Sequence, residues 1–530
     1  MDPGMATISE DQLVTHIKRL ASDEFEGRAP SSTGEQKTLT YLQDQFQRLG
    51  LLPGNGNSFF QEVPLVKFTS EHAPAMTIHA GTEHLMDLRF KDDMMANTQR
   101  LSDSVLLQNS DLVFAGYGIV APEYSWDDYR DLDVSGKTVV VLVNDPGYPT
   151  GNPDVFNGKA MTYYGRWTYK FEEAARQGAA GILIIHETGP AGYPWDVVRN
   201  SFGGPQFYMD DQDEDQYRPV IEGWITLTAA QQLLNAAGFD LSELKQQALQ
   251  HEFKLVPLGI TASYSIQNTI EHSSSNNVLA VLPGSEHPDE YIIYTAHWDH
   301  FGKEESPDGL RIYNGARDNA SGVAALLEIA RAFSEASLKP KRSLLFMPVT
   351  AEERGLLGSQ YYATHPIYPL NQTIAVINMD ALNIWGPTRD ITVVGYGNSE
   401  LDDIVEEIAQ GQSRRVRPDP EPEKGGFYRM DHFSFAKQGV PALAAEHGVD
   451  HEVHGEQWML DAIEQWTDQH YHKPSDVFDP EYWELSGAVQ DTQMYYQIGY
   501  QLAMNRSFPN WREGTEFRAL RNAMMTTNGE

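Results

Sequence analysis

The sequence predicts an α/β chain: a mixed, mostly parallel sheet sandwiched by helices, with a β-rich insertion. Three observations carry this expectation. Tyr291–Ala296, Ser343–Thr350 and Thr373–Asn378 are continuous apolar runs, the pattern of strands buried on both faces. A helical pattern, SGVAALLEIARAF, follows Asp318 between the first two of them. At residue 111 the character changes to a stretch of β-like segments that lasts to about residue 265.

Taken in order, residues 8–50 read as two amphipathic helices, with Ser9 and Thr33 as expected N-caps and Gly50 as the stop. Between them lies Asp23-Glu24-Phe25-Glu26-Gly27-Arg28, where Glu26 and Arg28 suit either a substrate contact or, as expected here, a structural role. Residues 55–110 hold short β-like pieces and turns. The insertion then shows a strand at Thr138–Val143, a helix in FEEAARQGAAG and a strand at Gly181–Ile185. Asn200–Arg218 is acidic and lacks the spacing of an EF-hand, so an exposed solvated loop is expected rather than a calcium site. Beyond Asp380 come a strand at Ile391–Gly395, a helix at Glu400–Gln410, a loop at Ser413–Arg429 and a closing helix at Trp483–Asn505. The expected division is 1–110 and 266–505 for the main domain, 111–265 for the insertion, and a polar, peripheral tail at 506–530.

Composition narrows the function. A chain of 530 residues exceeds one hydrophobic core, so more than one domain is required. Its formal charge, 39 − 75 = −36, lacks the basic footprint of nucleic-acid binding. No apolar run approaches a membrane span. With no cysteine, disulfides, thiolate metal sites and cysteine nucleophiles are excluded, and any metal must sit on histidine and carboxylate.

The chemistry gathers at strand ends. The first run stops in His297-Trp298-Asp299-His300, the second is followed by Glu352-Glu353, and the third ends at Asp380. Asp318 opens the intervening helix, and His472 follows in YHKPSD. Open α/β sheets bind ligands beyond the carboxyl ends of their strands, so these groups are placed to meet.

His297-Trp298-Asp299, GARDNASG at 315–322, EERGLLGS at 352–359, Asn378-Met379-Asp380 and the late His472 together resemble the M28 family of co-catalytic zinc metallopeptidases. The likeness covers roughly residues 275–505, with Met430 standing where the family usually has Ser. The insertion is similar to a protease-associated (PA) domain, whose roles are covering a cleft or shaping substrate access. The resemblance implies two zinc ions, other divalent ions being possible. Asp318 would bridge them, His297 and Asp380 would complete one position, and Glu353 and His472 the other. Glu352 would be the general base, Asp299 the carboxylate orienting His297, and Tyr471 a donor to the oxyanion. It also implies a cis peptide at Asp318-Asn319, while His300 has no counterpart as a ligand and Asp431 and His432 are expected to line the substrate pocket.

The expected activity is removal of N-terminal residues from peptides. A carboxypeptidase is the near alternative, kept open by Arg317, Arg429 and the cluster Arg414, Arg415 and Arg417, since arginine holds a terminal carboxylate well. Glutaminyl cyclase chemistry and a metal-free receptor are more distant alternatives. An extracellular or periplasmic location is expected from the family, although MDPGMATISED lacks the character of a signal peptide.

Overall fold

A computed structural model describes residues 4–130, 132–210, 218–307 and 309–526. The chain forms two compact units: residues 1–64, 274–420 and 429–530, and residues 65–273 with 421–428.

The first unit is built on an eight-stranded sheet. Its strands are β1 (Leu52–Pro53), β2 (Ala280–Leu282), β3 (His287–His297), β4 (Arg342–Val349), β5 (Thr373–Asn378), β6 (Asp390–Val394), β7 (Arg415–Pro418) and β8 (Ala442–His447). They lie in the order β1-β2-β4-β3-β5-β8-β6-β7. The neighbours β4, β3, β5 and β8 are parallel, while β6 runs antiparallel to β8. Buried along their whole length, β4 and β5 can be apolar over residues 344–349 and 374–377, which is why they read as continuous runs.

Alternate residues Ile292, Tyr294 and Ala296 of β3 pack in one core with helices α1 (Glu10–Leu20), α2 (Thr33–Arg48), α3 (Gly322–Glu335) and α4 (Ser486–Met504). Short helices at Leu357–Thr364 and His432–Ala436 pack together, and the second of them lies against β5 and β8. The cap of α2 differs from expectation. Ser32, not Thr33, accepts from the N–H groups of Gly34 and Glu35, because Thr33 is already the first helical residue. Ser9 precedes α1 in extended geometry without a side-chain cap bond.

The second unit has its own ten-stranded sheet and its own apolar cores. Thr138–Leu142, Gly181–His186 and Ile221–Thr226 form its parallel heart, and the helix expected over FEEAARQGAAG starts earlier and stops sooner, at Trp167–Arg176. The boundary expected at 110 falls instead at 64. Strand Ser104–Phe114 pairs with Val256–Val278 and Thr138–Leu142, and Met94–Asn97 pairs with Ile221–Thr226, so ladder hydrogen bonds draw residues 65–110 into this unit. In the acidic Asn200–Arg218 stretch, Gln206–Met209 is a strand, and residues 211–217 lie outside the described residues.

The tail is not peripheral. Trp511 is fully buried and its indole donates to the Gly439 carbonyl at 2.9 Å, while buried Arg521 donates to the Thr373 carbonyl at 3.0 Å. Among the described residues no helix is long and apolar enough to cross a membrane.

Candidate metal centre

Strand register fixes the first half of the site. His297 pairs with Val349 and Thr295 with Asn378, so the carboxyl ends of β3, β4 and β5 finish level. Beyond them project His297, the Glu352–Arg354 turn and Asp380. Asp318 comes from the turn before α3, and its peptide bond to Asn319 is cis. His472 comes from the loop after the helix Glu456–His470.

The carboxylate of Asp318 is divided between two imidazoles. Oδ1 lies 3.2 Å from His297 Nε2, and Oδ2 lies 3.2 Å from His472 Nε2. On one side His297 Nε2 is 3.4 Å from Asp380 Oδ1; on the other His472 Nε2 is 3.3 Å from Glu353 Oε2. Glu352 Oε2 stands 4.0 Å from His297 Nε2. The residues singled out for metal and base roles are therefore brought together, in two halves that share one carboxylate.

The electrostatics of this cluster suit cations. Burial raises the carboxyls of Glu352 and Glu353 well above their ordinary range, and neighbouring carboxylates, Asp380 and Asp318 among them, raise them further. Burial would lift Asp318 too, but its bonds to His297 and His472 hold it well below the carboxylate range. Burial pulls the His297 imidazole down, and Glu352, Asp380 and Asp318 outweigh it and lift it well above its usual value. Four carboxyl groups packed around two imidazoles leave negative charge that divalent cations would neutralise, and nitrogen and carboxylate oxygen are ligands such ions accept. The donor set fits.

Asp299 works differently from expectation. His297 Nδ1 lies 3.2 Å from the Asp299 carbonyl oxygen and 3.9 Å from its carboxylate. The carboxylate Oδ1 instead accepts the N–H of Glu352 at 3.0 Å, holding the turn that presents both glutamates. Tyr471 stacks on His472 with ring centres 3.8 Å apart and is 46% exposed. The protein crowding its hydroxyl, then the nearby Asp318 and Glu353, raise the phenol, so it stays a hydrogen-bond donor.

His300, which has no counterpart as a ligand, contacts the cluster. It is fully buried, with Nδ1 2.7 Å from Glu353 Oε1, and burial holds its imidazole neutral, lowered to about 3. Asp431 and His432 do not present surface to a pocket: both are fully buried, and Asp431 accepts from the Ser359 hydroxyl at 2.6 Å. The arginines expected for a carboxylate are mostly engaged. Arg317 donates to the carbonyls of Ala381 and Leu382, each at 3.1 Å, with Trp385 and Trp466 rings 4.8 and 4.5 Å away. Arg414 pairs with Asp491, Arg415 with Asp450, and Arg417 with Asp390 and Glu456. Arg429 is exposed.

Two further residues hold the site. Asp476 accepts the N–H groups of Arg317 and Asp318 at 2.9 and 3.1 Å, tying the His472 loop to the Asp318 turn. Arg28 donates to the carbonyls of Leu20, Trp298, Asn314 and Gly315 and is fully buried, consistent with a structural part. Glu26 bonds Thr33, Lys37 and Lys303. Asp476 carries a local signal, a carboxylate four residues after the last histidine, but its targets lie over a hundred residues upstream.

Residues 277–497 match the family model of Peptidase family M28. Aminopeptidase NAALADL1 of Mus musculus is 30% identical over 312 residues, which is 50% of this chain and 38% of that protein. The glutamate carboxypeptidase 2 homolog of Caenorhabditis elegans is 33% identical over 166 residues, 30% of this chain and 20% of that one. The chain thus spans less than two fifths of the length of these relatives. Among solved structures, the aminopeptidase from Aneurinibacillus sp. strain AM-1 aligns with a TM-score of 0.49 and 19% identity, covering 95% of this chain and 96% of that chain.

Proposed function

We propose, on the premise that residues 277–497 are a peptidase family M28 domain, that the chain is a zinc aminopeptidase acting on peptides through two zinc positions. The observation that carries this reading is the division of Asp318 between His297 and His472. Asp318 would serve both positions, with His297 and Asp380 at one and His472 and Glu353 at the other. Zinc held there supplies positive charge that acidifies a water and polarises a carbonyl.

The chain's own groups do the rest. Glu352, 4.0 Å from His297 Nε2 and outside the two ligand sets, takes a proton from the attacking water and gives it to the leaving nitrogen. Asp299 fixes the main chain of Glu352, so the base keeps its place. The Tyr471 hydroxyl donates to the developing oxyanion. The excess of carboxylate suits a substrate's ammonium group. The engagement of Arg317, Arg414, Arg415 and Arg417 with carbonyls and acids removes most candidates for holding a terminal carboxylate. A carboxypeptidase is the second reading, favoured only by exposed Arg429 and by the name of the Caenorhabditis elegans relative. An extracellular or periplasmic place belongs to the same proposal, and fractionation of the source cells checks it.

Two peptides test the activity on zinc-loaded protein, with a chelated control. One has a free amine and a blocked carboxyl end; the other has the reverse. Chelator-sensitive cleavage of the first alone is expected. Cleavage of the second alone would replace this reading with a carboxypeptidase and make Arg429 the first residue to mutate.

A further inference from the structure

We propose that His300 is a positioning residue for Glu353, setting metal affinity at the Glu353–His472 position and not at the His297–Asp380 position. This rests on the two-position reading above and deepens it.

Glu353 is used from both ends of its carboxylate. Oε2 faces His472 Nε2 at 3.3 Å, and Oε1 faces His300 Nδ1 at 2.7 Å. Once Glu353 gives up its proton, as a metal ligand must, its carboxylate accepts only, and His300 Nδ1 is then the donor. A carboxylate held at one oxygen has its other oxygen aimed, and a group that fixes a ligand in this way raises metal affinity by reducing the freedom lost on binding. His300 is itself immobilised. Its side chain is 0% exposed, its ring packs edge-on against Phe301 with centres 4.9 Å apart, and its N–H donates to the Arg28 carbonyl at 3.3 Å. Gly315 closes the remaining side. Its φ is +55°, and a Cβ there would run into the His300 ring and the Asp318 carbonyl. His300 also lies near the shared Asp318, but its side-chain hydrogen bond goes to Glu353 and no contact joins it to Asp380 among the described residues, so the larger effect falls on the Glu353–His472 half.

The test is zinc binding by competition with a graded chelator, on the full chain and on H300A, H300F and H300N. Wild-type protein is expected to take up two ions. H300A and H300F should keep one affinity unchanged and lose about 10- to 100-fold in the other. H300N, whose amide can offer an N–H to Glu353, should recover most of the loss and guards against a variant that merely fails to fold. Equal weakening of both ions, or no change in either, overturns the proposal. So does a ¹¹³Cd spectrum of wild-type protein showing coupling to the His300 ring, which would make it a ligand. If wild-type protein binds two ions and H300A loses one selectively while neither test peptide is cut, the peptidase reading fails and this one stands.

Discussion

Four main-chain carbonyls converge on the Arg28 guanidinium; Trp298 adjoins His297, and Gly315 lies three residues before Asp318. Burial lowers this arginine to about 10, still far above neutrality, so its charge is kept inside the protein by those bonds and by nearby Asp476, Asp299 and Asp318. Arg28→Met would strand the carbonyls without a donor. We expect a loss of roughly 3–5 kcal/mol in urea unfolding, since a buried acceptor left unsatisfied costs about 1–3 kcal/mol. A loss under about 1 kcal/mol would show the carbonyls rebonding elsewhere. Glu352→Gln keeps the shape and removes the base. Turnover should fall by about 10²–10⁴-fold with zinc content unchanged; a parallel loss of zinc would move Glu352 into the ligand set. The lifted His297, Glu352 and Glu353 also mean that metal uptake displaces protons. Calorimetric titration with zinc in buffers of different ionisation enthalpy should register that release, and affinity should weaken as pH falls.

At the scale of elements, strands decide which charges are buried. Glu222 lies in the strand Ile221–Thr226 and is 4% exposed. Its carboxylate accepts from the Gln99 amide at 2.8 Å, and burial pushes it up to about 7 from an ordinary 4.5. Between those two values the folded state holds a proton that the unfolded state has released. Stability therefore falls as pH rises through the window, and the cost is complete above pH 7. Glu222→Gln keeps an acceptor for Gln99 and cannot ionise. It should stabilise the second unit by about 2–3 kcal/mol at pH 8 and by almost nothing at pH 4, read from denaturant melts at both pH values. An equal gain at both would assign the effect to packing.

At the scale of the whole molecule, the two units have separate apolar cores. Each is large enough to unfold cooperatively, so two calorimetric transitions are expected. Among the described residues, only the first unit holds such a cluster of metal-ligating groups. Chelation should lower one transition and leave the other in place, because a ligand stabilises only the unit that binds it, by about 4 kcal/mol at a thousandfold excess over Kd. A chelator shift in both would mean that they melt as one.

Much of this was legible in the chain. The apolar runs that became β4 and β5 are local patterns of hydrophobicity, and so is the helical period of α3. Most of the candidate donors were legible too: His297, Glu353 and Asp380 stand at or shortly beyond strand ends and need only parallel strands ending level to meet, while His472 lies in a late loop that no strand positions. Hydrophobic periodicity and ligand chemistry are properties of a few consecutive residues, so the sequence by itself determined the fold class and the candidate donors. Tertiary structure decided the rest. That Asp318 splits its oxygens between two histidines, that His300 grips Glu353 rather than standing by, that Asp299 holds the Glu352 turn, and that residues 65–110 join the second unit's sheet all depend on partners far along the chain. Such pairings are settled by which surfaces pack and which hydrogen bonds close, and no local pattern of residues carries that information.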